Sequence, residues 1–163
     1  MTRVTQSNAA SKHIPHLDSQ REGGSIDQND MLEDVLRVTE VTLTNAQILA
    51  LNTTPIALIA APGAGKYIII DEVVGFNDFV TGAFVAAAAL AVRYTDGSGD
   101  EVVTAFPEVA FVEATADAVA VQHGIDAVPV VNAAVMLTIA TSDPTTGAGT
   151  MVFQAKYRIV TLP

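Results

Sequence analysis

The residues whose types and spacing could do chemistry begin with "APGAGK" at 61–66, which contains the Gly-Ala-Gly-Lys that ends a phosphate-binding loop. A working loop of that kind reads Gly, four residues, Gly, Lys, then Ser or Thr, because backbone amides wrap the phosphates while the hydroxyl holds magnesium. Counted back from Gly65 and Lys66, the first glycine falls on Ala60 and the hydroxyl on Tyr67. The motif also needs a helix after the loop, whose N-terminus supplies part of the anion site. Here "KYIIIDEVV" follows, a β-branched run that reads as a strand. "PIALIAA" ahead of it is strand-like too, so the segment is expected to turn one strand into the next as a hairpin, with Pro62, Gly63 and Gly65 supplying the turn conformations.

The other candidates are weaker still. In "DGSGD", Asp96, Ser98 and Asp100 have the spacing of the first calcium-loop ligands, but Glu101 and Pro107 stand where that loop needs glycine and glutamate. His13 and His16 are separated by Pro15 and lack an acidic or thiolate partner at ligand spacing. His123 sits near Asp117 and Asp126, yet no serine lies in a nucleophile elbow to complete a triad. Asp71 and Glu72 are adjacent, and neighbours on a regular strand point to opposite faces. The sequence therefore leads us to expect no catalytic, cofactor-binding or metal site, and no enzyme.

What must position these residues is a chain of 163 residues, suited to one domain with a real core. Its net charge of -10 argues against nucleic-acid or anionic-membrane partners, which reward positive charge. There is no cysteine, hence neither disulfide framework nor thiolate zinc site. The weakly polar stretch at 79–92 is too short for a membrane span, and the N-terminus lacks the apolar block of a signal peptide. Ala and Val supply most of the hydrophobicity, which suits thin, closely packed sheets.

Residues 1–37 are rich in Ser, Asn, Gln, Asp and Gly and show no apolar period, so they are expected to be an extended N-terminal arm that orders only on a partner. Residues 38–163 are β-rich. "VTEVTLT" alternates, "TNAQILAL" reads as a short helix capped by Thr44, and "ALAVRYT" sets Leu90, Val92 and Tyr94 on one face. "EVAFVEATAD" is ambiguous between helix and strand, and Val131, Ala133, Val135, Leu137 and Ile139 alternate on one face of "VNAAVMLTIAT". The clearest strand is "MVFQAKYRIVTL", with Met151, Phe153, Ala155, Tyr157 and Ile159 on one side and Gln154, Lys156 and Arg158 on the other. Short strands between Gly, Pro and Asp turns predict an all-β domain, an antiparallel β-sandwich or jelly-roll-like barrel with one or two short helices.

Residues 41–76, "LAVRYTDGSGDEVVTAF" and the closing "FQAKYRIVTL" resemble tailed-bacteriophage head decoration, or cement, proteins, most characteristically in the block from Leu-Asn-Thr-Thr-Pro to Pro-Gly-Ala-Gly-Lys at 51–66. The resemblance covers about 41–162. It implies a structural virion protein, made in the host cytoplasm and carried on the outer capsid surface, that binds major capsid protein, commonly as a homotrimer, and stabilises contacts between capsomers. The alternative it leaves open is a head fibre or tail component that contacts a host surface or glycan. The phenylalanines at 76, 79, 84, 106, 111 and 153 all fall where a core or subunit interface is expected.

Overall fold

A computed structural model of the chain describes residues 35–86 and 88–162. Two open antiparallel sheets face each other across one core, and the barrel alternative is not realised. The strands are β1 (Arg37–Leu43), β2 (Ile56–Ile59), β3 (Lys66–Phe79), β4 (Leu90–Tyr94), β5 (Ala118–His123), β6 (Val135–Ile139) and β7 (Gly149–Thr161). One sheet runs β1-β7-β3-β5 and the other β2-β6-β4. The expected arm at 1–37 falls outside the described residues as far as position 34, and its last residue, Arg37, opens β1 opposite Tyr157.

Alternation decides which face each strand buries. Met151, Phe153, Ala155, Tyr157 and Ile159 of β7 lie on the inner face, opposite Leu43, Val41 and Thr39 of β1 and Asn77, Gly75, Val73, Ile70 and Ile68 of β3. Leu90, Val92 and Tyr94 answer from β4, and Val135, Leu137 and Ile139 from β6, all fully or nearly fully buried. Val131, expected on that same face, lies in the turn before β6 and is exposed. Rings of Phe106, Phe111 and Phe153 meet at centroid separations of 5.0, 5.3 and 5.9 Å and fill the centre. They rest on the backbone of Gly75, where an added Cβ would come within 3.0 Å of all three.

Among the described residues, helix is confined to single turns. Helix α1 (Asn45–Ile48) starts at Thr44, whose side chain accepts the Gln47 N–H while the Gln47 side chain accepts the Thr44 N–H, the reciprocal arrangement that satisfies amides a helix start leaves unpaired. The ambiguous "EVAFVEATAD" contains a π-helical turn at Glu108–Val112 that buries Phe111 and Val112. Its carbonyls at Phe111 and Val112 are held by the amide nitrogen of Asn77, buried in the core at 2.7 and 3.4 Å.

The expected hairpin of "PIALIAA" and "KYIIIDEVVGF" does not form. β2 pairs with β6 in one sheet and β3 with β7 and β5 in the other, so the intervening turn carries the chain across the sandwich. β3 also carries a bulge: its register against β7 slips between Ile70 and Glu72. Ile70 and Val73 both remain buried, which leaves Asp71 and Glu72 together on the outer side, contrary to the opposite-face expectation.

Candidate interaction surface

The glycine-rich turn at 61–66 has its own use for the amides a phosphate would need. Gly63 and Gly65 sit at φ of 101° and 73°, values glycine adopts without strain. The Gly63 N–H donates to the Asn132 side-chain oxygen at 3.0 Å, Asn132 returns its N–H to the Lys66 carbonyl at 2.7 Å, and Leu162 donates to the Gly65 carbonyl at 2.7 Å. Strand β3, not a helix, follows. The turn ties β3 to the approach to β6 and to the end of β7, a fastening that sequence reading missed because Asn132 lies 69 positions away.

The remaining polar candidates are likewise committed to structure. Asp96 accepts both the N–H and the hydroxyl of Ser98, at 3.1 and 2.6 Å, and these bonds hold its carboxyl below the usual carboxylate range. Asp117 accepts the Phe79 N–H at 3.1 Å, and Asp126 lines a cavity of about 210 Å³ with Ile69, Tyr94, Ile125 and Pro129. Neither is the carboxylate beside His123. That role falls to Glu72, 3.8 Å away across the β3–β5 ladder. His13 and His16 lie outside the described residues. Among the described residues, no group of three or more His, Asp or Glu side chains converges in a way that could hold a metal.

What the fold does assemble is the outer face of the four-stranded sheet. Because the bulge puts Asp71 and Glu72 on one side, they pair separately with β7: Asp71 with Arg158 at 3.2 Å and Glu72 with Lys156 at 2.7 Å. The Lys156 hydrogen bond holds the Glu72 carboxyl below its ordinary value. Above this charged row the face turns apolar. Val74 and Phe76 of β3, Val152 of β7 and Val119 and Val121 of β5 occupy adjoining outward positions, with Glu40 and Gln154 on the flank. Val74, Phe76 and Val152 line a shallow depression of about 200 Å³, while Val119 and Val121 are 65% and 45% exposed. Ile125, Val128, Val130 and Val131 extend the exposed apolar run along the chain after β5. Phe76 therefore belongs to this face, whereas Phe84, Phe106, Phe111 and Phe153 belong to the core.

No protein-family model matches the chain, and no curated protein matches it. Among solved structures it is similar to a chain of the cyanophage Pam1 capsid asymmetric unit, with 17% identity, 99% of this chain and 100% of that chain covered, and a TM-score of 0.42.

Proposed function

We propose that the chain is a structural virion protein, a decoration or cement protein that binds the outer surface of a phage head as a homotrimer and stabilises contacts between capsomers of major capsid protein. The observation that carries this reading is the outer face of the β1-β7-β3-β5 sheet. Its apolar patch of Val74, Phe76, Val119, Val121 and Val152 has the character of a contact surface between proteins. Its charged groups are spent on one another across the sheet, as in the Asp71–Arg158 and Glu72–Lys156 pairs. The assignment to a phage head rests on the resemblance of residues 51–66 and the stretches around them. A clamp of this kind works by contact that exists only in the assembled shell, and each repeat multiplies the gain. The net charge of -10 keeps such a body from adhering to nucleic acid.

Imaging of purified particles tests the reading. Density for this fold at junctions between capsomers, in three-fold clusters on the outside of the shell, is the expected result. Its presence only on fibres or tails, or its absence from the particle, refutes it.

A further inference from the structure

Among the described residues, no strand or bridge pairs with the outer edge of β5 over residues 118–122. Gly124 donates its N–H to the Asp71 carbonyl at 3.0 Å, one step beyond the pairing of His123 with Glu72. Residues of an antiparallel strand alternate between bonding one neighbour and bonding away from it. Ala118, Ala120 and Gln122 therefore direct their backbone groups to β3, while the N–H and C=O of Val119 and Val121 point off the sheet. β5 is last in the strand order. A bridge between Val103 and Gly124 closes the edge only beyond His123. The strand sequence "AVAVQH" holds no Lys, Pro or inward charge of the sort that guards an edge.

The geometry points to a second copy of this chain as the occupant, paired antiparallel along β5 about a two-fold axis through Ala120. In that register Val119 of each copy exchanges both backbone hydrogen bonds with Val121 of the other, and Ala120 faces its own image. Side chains select this register over its neighbours. On the outer face, valine meets valine at both central positions, and Val152, Phe76 and Val119 of one copy continue into Val121 and Val74 of the second as one apolar band. At each end Asp117 comes opposite the second copy's His123, acid against base. Moving the axis to Ala118 sets Val119 against Asp117, and moving it to Gln122 sets Val121 against His123. An axis at Val119 or Val121 leaves the other valine opposite Asp117 or His123. On the inner face the closest approach falls on alanine. A contact this short, against the roughly 20–30 residues a side of a stable interface, is weak alone and gains by repetition. It is distinct from any three-fold contact and would join one trimer to the next. The inference stands or fails in solution, independently of the virion reading.

The absence of cysteine makes the test direct. In full-length Ala120→Cys protein the two thiols would face each other across a non-hydrogen-bonded pair, with Cα atoms about 4.5 Å apart, within disulfide reach. Gln122→Cys lies on the same edge but opposite Ala118. Under mild oxidation Ala120→Cys is expected to form a disulfide dimer about tenfold faster or more than Gln122→Cys, because held thiols react as if greatly concentrated. Val119→Pro removes an outward N–H and no bond to β3, so adding it should abolish the cross-link with the circular dichroism unchanged; Val121→Lys serves where proline disturbs the strand. Equal rates for the two thiols, or a cross-link that survives both edge variants, overturns the proposal. So does a chain that never cross-links yet loses particle binding with Val119→Pro, which would give the edge to a different partner.

Discussion

Gly75 is where three aromatic rings rest directly on strand backbone, and any side chain there must displace one. A Cβ would meet Phe111 at 2.7 Å, Phe106 at 2.8 Å and Phe153 at 3.0 Å. Gly75→Ala should therefore cost about 1–3 kcal/mol through overpacking, seen as a lower urea midpoint at unchanged slope; an unchanged midpoint would mean that the rings yield freely. Asp143 gives a second residue-level expectation. Its carboxylate accepts the N–H groups of Asn52 and Thr53 at 2.7 and 2.9 Å, and the Thr53 bond foremost holds its carboxyl below the ordinary value. A depressed folded-state pKa means stability that is present above the unfolded value and lost as pH falls through the folded one. Stability should thus decline from about pH 4 downward, and Asp143→Asn should flatten that decline in acid titrations of the melting temperature. Lys66→Ala should leave ATP binding unmeasurable, as in the parent, by calorimetry. Measurable binding in the parent that the substitution removes would reverse the reading of the turn. Ala60 and Tyr67 made that reading legible without the structure, whereas the Asn132 bond that uses the Gly63 amide was not, because nothing local signals a partner so far along the chain.

Among the elements, those defined by their own residues were readable and those defined by their neighbours were not. Thr44 and Gln47 announce α1 because a capping box is complete within four positions. The unbroken alternation of β7 likewise assigns its two faces correctly. The connection from β2 to β3 was misread because turn residues show that the chain reverses, and not which sheet it reverses into. The π-helical turn escaped because Asn77, distant in sequence, satisfies its carbonyls. The bulge in β3 was hidden for a related reason: the extra residue, Asp71, is as polar as its neighbour, so the outward pair looks like ordinary alternation. Deleting Asp71 tests how much rests on it. Removal would leave Ile70 opposite Tyr157 and Glu72 opposite Lys156 as immediate neighbours, so Ile68, Ile70 and Val73 keep the inner face. The deletion should therefore still give folded protein by circular dichroism, without the Asp71–Arg158 pair, and loss of the fold would contradict the assigned register.

At the scale of the whole molecule, the sandwich class was legible from strand spacing and turn residues. The contact face was not, since it is composed across β3, β5 and β7, whose registers no local pattern records. We expect residues 1–37 to serve as an anchoring strap: an extended chain of that length reaches about 120 Å at roughly 3.3 Å per residue. Ordering it would cost roughly 1–2 kcal/mol of backbone entropy per residue, which contacts with a partner would have to repay. Brief proteolysis of free protein should remove the strap and leave 38–163 folded, and the truncated chain should decorate capsids more weakly. Equal affinity with and without the strap, or a strap that resists protease in free protein, would refute this.

The pairing of Arg37 with Tyr157, and of Leu43 with Met151, has a mechanical consequence. β1 and β7 lie side by side in opposite senses, so tension applied to the chain ahead of Arg37 and resisted by the body acts along β1 when the pull follows the strand axis. Seven residue pairs, from Arg37 to Leu43, then carry the load in parallel as a shear. A pull across the axis meets them one at a time, starting at Arg37, and peels the strand away. The same strand is therefore strong in one direction and weak in another, and the direction of the pull would decide whether it holds or unzips.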